Sequence, residues 1–256
     1  MRVTVLGCGT SSGVPQIGCG CAVCRSPDPR NKRLRCSILI EVGDVRILVD
    51  TGPDLRQQLL AADVGTIDAL LFTHAHADHV HGIDDLRAIN NNMMAAIPAH
   101  ADAAVFARIR ERFPYVFEGG HGSHGWWRPE LAPHPIEGPF EVGGVEIVPF
   151  AQKHGRGVSW GFRIGRFAYS TDTDGLDERA FAALRGTEAW IVDALRDRPH
   201  PSHAHLDLAL QWIDRVAPER AWLTHMNHEV DHADWAARLP RHVRPAHDGL
   251  VIEIED

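Results

Sequence analysis

A chain of 256 residues that is 44% hydrophobic can bury a sizeable core, and no Ser/Gly/Pro-rich linker, charge block or repeat divides it, so one domain is expected. Its net charge of −8, with histidines neutral, argues against a broad nucleic-acid-binding face, which would show as a basic patch. No apolar run nears the roughly 18 residues of a membrane span, and the opening MRVTVLGCGTSSG lacks the apolar stretch of a signal peptide, so a cytoplasmic protein without a membrane anchor is expected.

Arg2 to Leu6 alternates as a strand and stops at Gly7-Cys8-Gly9. A glycine-rich loop and a cysteine cluster follow. Cys36 to Val42 and Val45 to Asp50, both apolar and β-branched, read as a hairpin around Gly43-Asp44. Asp54 to Ala62 suits a short helix, Ala69 to Phe72 a buried strand, and Asp84 to Asn91 and Ala101 to Arg112 two more helices. Glu118 to Pro139 is the least regular stretch, with His121, His124, His134 and the pair Trp126-Trp127. Strands resume at Phe140 to Val142, Val145 to Phe150, Trp160 to Ile164 and Phe167 to Ser170. Asp177 to Arg185 and Leu206 to Val216 read as helices; Ala189 to Asp193, Arg220 to Thr224 and Gly249 to Ile254 read as strands. Strands mixed with helices in both halves predict sheets covered by helices, a layered α/β architecture.

The segment His74-Ala75-His76-Ala77-Asp78-His79 sets four potential metal ligands within six residues, directly after an apolar strand. Neutral imidazole and carboxylate are ligands that zinc and manganese accept. Alternate residues of an extended segment share a face, so His74 and His76 can bind one ion while Asp78 and His79 bend toward a second. Cys19, Cys21 and Cys24 put three thiols within six residues, a spacing that suits zinc, with a fourth ligand completing a tetrahedron. Five cysteines, an odd number, fit metal ligands or free thiols better than a disulfide frame.

The pattern H-x-H-x-D-H after a short strand resembles the signature of the metallo-β-lactamase superfamily. The later ligands of that family have counterparts at strand ends in the expected order: His154, Asp172 and His225. The resemblance implies a single-domain αββα sandwich with two divalent metals, zinc or manganese. His74, His76 and His154 would hold one, Asp78, His79 and His225 the other, and Asp172 would bridge them. Such a pair can lower the pKa of a shared water and clamp the oxygens of a phosphoryl or carbonyl centre.

A Gly-Val-Pro loop followed by C-x-C-x-x-C, ahead of the histidine motif, is similar to the PhnP-type phosphodiesterases of carbon–phosphorus lyase phosphonate breakdown. That resemblance implies a structural zinc at Cys19, Cys21, Cys24 and His228, a possible homodimer, and a histidine near the phosphate before the penultimate helix. His205 is the position expected for that histidine, in preference to His203, because Leu-Asp follows it. On an extended segment His225 and His228 face opposite sides; on a helix they share a face. Ala95 to Pro139 departs from the family in length and composition. The expected activity is hydrolysis of a small or cyclic phosphodiester by metal-bound hydroxide, oriented by Asp78, with His205 protonating the leaving alkoxide. The alternatives are tRNA 3′-end processing, thioester or lactone hydrolysis, and a PqqB-like oxidative metalloprotein.

Overall fold

Strands that bury both of their faces organise the chain. The computed structural model describes residues 1–119 and 121–255. Strand β1 (Arg2–Gly7) leads into a loop that carries the one-turn helix α1 (Ala22–Arg25). Strands β2 (Ser37–Val42) and β3 (Val45–Val49) form the expected hairpin, and Gly43 takes φ +58° at its turn. Helix α2 (Leu55–Ala61) crosses to β4 (Ala69–Leu71), which runs parallel to β3. Helices α3 (Ala77–Val80) and α4 (Leu86–Met93) then cross to β5 (Ile97–Ala101), parallel to β4. After α5 (Ala103–Arg112) come a small hairpin, β6 (His121–Gly122) and β7 (Gly125–Trp126), and then β8 (Leu131–Pro135), parallel to β5.

The second half opens with an antiparallel meander of β9 (Phe140–Val142), β10 (Val145–His154), β11 (Gly157–Ile164) and β12 (Phe167–Ser170). Helix α6 (Glu178–Ala183), β13 (Ala189–Asp193), α7 (Leu206–Val216), β14 (Arg220–Thr224), α8 (His232–Arg238) and β15 (Val243–Pro245) follow, the strands parallel. Strand β16 (Val251–Glu253) returns to pair with β1. The result is two seven-stranded sheets, in the orders β16-β1-β2-β3-β4-β5-β8 and β15-β14-β13-β12-β11-β10-β9.

Strand periodicity divides the core. Ile38, Ile40, Ile47, Val49 and Leu71 of the first sheet join Ile147, Phe162, Tyr169 and Ile191 of the second in one buried cluster. The residues between them, Leu39, Leu48 and Leu70, pack instead with Leu55, Leu59, Leu86, Ile89 and Ile109 of α2, α4 and α5. This alternation explains why β2 to β4 read as continuous apolar runs: a strand covered on both faces needs no polar side. The fold is the αββα sandwich. Among the described residues, no helix is long and apolar enough to cross a membrane.

Several elements escape the sequence patterns. β5 holds Pro98, and β8 holds Pro133 and Pro135, which break the strand signal; β8 tolerates them as an edge strand. α8 and β15 were not expected either. β10 runs on to His154 and β11 begins at Gly157, so the hairpin places His154 at a strand end with Gly155 at φ +59°.

A close backbone contact fixes the histidine motif to the first sheet. The Thr51 N–H donates to the His79 carbonyl, and the Gly82 N–H donates to the Thr51 carbonyl, both at 2.8 Å. A Cβ on Gly82 would stand 2.1 Å from the Gly52 carbonyl oxygen. Gly82→Ala is therefore expected to destabilise the fold by about 1–3 kcal/mol and to weaken metal binding. Urea unfolding and metal titration check this, and wild-type values in both would contradict it.

Candidate metal centre

Strand ends from both sheets meet here. Asp50 follows β3, Thr73-His74 follow β4, and His154 ends β10. Asp172 follows β12, Asp193 ends β13 and His225 follows β14. Asp50, Asp172 and His225 take φ of 64°, 52° and 60°, a left-handed conformation rare for residues other than glycine. Backbone strain of this kind persists where the surroundings over-determine it.

Beside a group of Asp193, His203 and His225, two larger groups of ligating atoms result, the atoms within each lying within 4.8 Å of one another: His74, His76, His154 and Asp172, and Asp78, His79, Asp172 and His225. Asp172 belongs to both. Its Oδ2 lies 3.7 Å from Nε2 of His74 and of His154. Its Oδ1 lies 3.2 Å from His79 Nε2 and 3.3 Å from His225 Nε2. Asp78 Oδ2 completes the second group, 3.3 Å from His79 Nε2 and 3.8 Å from His225 Nε2.

Outer hydrogen bonds set the ring tautomers. The His79 Nδ1–H donates to Asp50 Oδ2 at 2.7 Å. The Thr73 hydroxyl donates to the same oxygen at 2.8 Å, so its own oxygen accepts from His74 Nδ1 at 2.9 Å. The His154 Nδ1–H donates to the Ser202 carbonyl at 2.7 Å. Each ring thereby keeps its proton on Nδ1 and turns a bare Nε2 inward, the arrangement a metal-bound histidine requires. Among the described residues, the buried Nε2 atoms of His74, His79 and His225 find no hydrogen-bond partner. An unsatisfied buried polar atom costs about 1–3 kcal/mol, so several in one place fit the binding of a cation.

The electrostatics agree. Burial pushes His74 well below the ordinary imidazole range. Burial opposes the charge of His79, yet the carboxylates of Asp172, Asp78 and Asp50 hold it well above that range. Burial likewise opposes the charges of Asp78 and Asp172, but His79 and His225 keep both below the carboxylate range. A pocket that demands positive charge beside unprotonated nitrogens suits divalent metal ions.

The histidine near this cluster is His203. Its Nδ1–H donates to Asp193 Oδ2 at 3.0 Å, its Nε2 lies 4.0 Å from Asp172 Oδ2, and its ring stacks on His225 at 4.4 Å. Burial lowers His203, but Asp193 outweighs it and lifts the ring to about 9. His205 instead starts α7, makes no side-chain capping bond and joins neither ligand group. The structure therefore brings His203, rather than the expected His205, beside the cluster, with Asp193 at the end of its strand holding the ring. The thiols of Cys19, Cys21 and Cys24 lie within 4.8 Å of one another, but that group does not extend to the His228 ring. His228 brings its backbone carbonyl to Cys21 Sγ, at 3.5 Å. Trp126 donates to Glu130 Oε2 at 2.8 Å, and neither it nor Trp127 lines the cavities beside the histidines.

Residues 45–226 match the family described as Beta-lactamase superfamily domain. Over its full length the chain is 37% identical to an octanoyltransferase of Porphyromonas gingivalis (strain ATCC BAA-308 / W83), spanning 52% of that protein. Over 46% of its length it is 32% identical to coenzyme PQQ synthesis protein B of Rhodopseudomonas palustris (strain BisB5), spanning 42% of that protein. The chain thus spans about half the length of these curated relatives. Among solved structures it superposes on a diphosphatase from the PhnP family with a TM-score of 0.92 and 34% identity, covering 99% of this chain and 98% of that one.

Asp50 touches no metal position but orients His79 directly and His74 through Thr73. Asp50→Ala is expected to lower metal affinity about 10–100-fold, the usual cost of losing such a partner. Competition with a chromophoric chelator measures it, and unchanged affinity would refute the orienting role.

Proposed function

The chain belongs to the metallo-β-lactamase superfamily, whose members include metal-dependent hydrolases, and from that premise we propose that it is a phosphodiesterase acting on small or cyclic phosphodiesters. In this reading His74, His76 and His154 hold one zinc or manganese ion, and Asp78, His79 and His225 hold another. The observation that carries it is Asp172, which turns one carboxylate oxygen to each group. The likeness to a PhnP-family diphosphatase at 34% identity supports chemistry at phosphorus. Two bound divalent ions supply a water of lowered pKa and neutralise charge gathering on the phosphoryl oxygens.

The chain's own residues divide the remaining work. A water oxygen bonds to phosphorus, the P–O ester bond breaks, and the departing alkoxide needs a proton. Asp78, facing His79 and His225 with one oxygen, is the proposed acceptor that orients the attacking water. His203 is the proposed donor: Asp193 holds its Nδ1–H, and its Nε2 faces the cluster. A structural zinc at Cys19, Cys21 and Cys24 belongs to the proposal. The Cys24 N–H at 3.4 Å from Cys21 Sγ lowers the Cys21 thiol toward the thiolate that binds zinc. A fourth ligand from His228 requires its ring to turn toward the thiols. The proposal extends to a cytoplasmic setting, which the five free thiols favour, and to a small-molecule substrate handled by a homodimer.

Protein loaded with manganese or zinc is expected to hydrolyse bis(p-nitrophenyl) phosphate, and Asp78→Ala to abolish this. Absence of turnover by the fully loaded protein would sink the reading. For His203→Ala the leaving group decides. Nitrophenolate departs without a proton, whereas an alkoxide does not. The variant should lose about 10²–10⁴-fold on 2′,3′-cyclic AMP and far less on the nitrophenyl ester, with its metal retained. Equal losses on both substrates would rule out the proton-donor role. His205→Ala should stay within a few-fold of wild type on both.

A further inference from the structure

Two cavities flank the metal ligands and share one wall. The first, about 630 Å³, is lined by His74, His76 and His154 and by Arg108, Arg112 and Arg156. The second, about 700 Å³, is lined by Ser11, His76, Asp78, His81, Arg112 and Phe113. His76 and Arg112 belong to both. Arg112 is fixed in that wall because its Nη1–H donates to the carbonyl of Ala75, between the ligands His74 and His76.

The cavities differ in chemistry. Arg108 and Arg112 stand one turn apart on α5, so their side chains share a helix face. Arg156 lies in the turn between β10 and β11. Among the described residues, neither Arg108 nor Arg156 has an ion pair or a side-chain hydrogen bond. The one carboxylate in the same wall, Asp102, is occupied: it accepts the Val105 N–H at 2.6 Å and the Trp160 Nε1–H at 2.8 Å. Three guanidinium groups around one space suit a phosphate dianion, which each can meet with two parallel N–H donors. The second cavity offers rings instead. Phe113 meets His81 edge-to-face, with centroids 5.5 Å apart.

We infer that the substrate is a linear, two-armed phosphodiester whose scissile phosphorus sits at the shared wall, with a phosphate-bearing arm among Arg108, Arg112 and Arg156 and a flat aromatic arm against Phe113 and His81. This rests on the phosphodiesterase reading and narrows it. A cyclic diester carries both ester oxygens on one small skeleton and fills one cavity only.

The test compares thymidine 5′-(p-nitrophenyl phosphate), the same ester carrying a 3′-phosphate, and 2′,3′-cyclic AMP. Wild-type protein should show a KM about tenfold or more lower for the 3′-phosphorylated ester than for the plain ester, the worth of one charge-assisted hydrogen bond. Cyclic AMP should have the highest KM of the three. The exposed double variant Arg108→Ala/Arg156→Ala should bring the two thymidine esters to nearly equal KM, and Arg156→Lys should keep part of the difference. Phe113→Ala should raise KM for both nitrophenyl esters alike. Turnover of both esters with equal KM in the wild type, or a preference that survives the double variant, would overturn the two-armed substrate while leaving phosphodiester hydrolysis standing. No turnover of any of the three would overturn both.

Discussion

Carboxylates buried beside one another are the constraint on which the rest of the structure depends. Asp50, Asp172 and Asp193 are buried, and Asp78 is partly so, its side chain 12% exposed. Charges taken out of water are costly unless opposite charge and hydrogen bonds meet them. Every neighbouring choice answers that demand. Thr73 gives Asp50 both its N–H and its hydroxyl, the Thr173 N–H caps Asp193, and the imidazoles of His74, His76, His79, His154, His203 and His225 surround Asp172. The outward hydrogen bonds turn the inner nitrogens toward the carboxylates, where burial disfavours a proton on His74 while the carboxylates favour one on His79. Divalent metal bound between those nitrogens and the carboxylates would complete the balance.

The sandwich makes this centre possible because neither half of the chain can form it alone. The first sheet delivers His74, His76, Asp78 and His79; the second delivers His154, Asp172 and His225. Each ligand group draws on both sheets. Packing of Ile38, Ile40 and Ile47 against Ile147, Phe162 and Tyr169 therefore does more than bury apolar area. It sets the distance between strand ends, and through them the spacing of the two ligand groups. Left-handed residues at three of those ends turn the chain sharply, so that a side chain at the end of a strand can point along the seam between the sheets.

Much of this was legible in the sequence, for identifiable reasons. The dense histidine motif after an apolar strand is a local pattern, the later strand-end residues His154, Asp172 and His225 followed from the family resemblance, and strands mixed with helices in both halves indicated the layered architecture. What the sequence left open depended on distant partners. His203 and His205 look alike along the chain; only Asp193, reaching Nδ1 of His203 at 3.0 Å, separates them. An aspartate ending an apolar strand, as at Asp50 and Asp193, is a signal the sequence analysis passed over, and the histidine that each one holds is not marked along the chain. His228 follows a left-handed residue, His225, so neither the extended nor the helical spacing applied to it. Prolines hid β5 and β8, whose pairing is decided by neighbours far away in sequence.

The central claim is that Asp172 joins two metal ions into one centre. Electron paramagnetic resonance of the protein titrated with manganese(II) tests it most directly. The account predicts two active-site equivalents and an exchange-coupled signal that appears as the second ion binds, because a shared carboxylate couples the spins. A single bound equivalent, or two with the spectrum of isolated manganese, would contradict it.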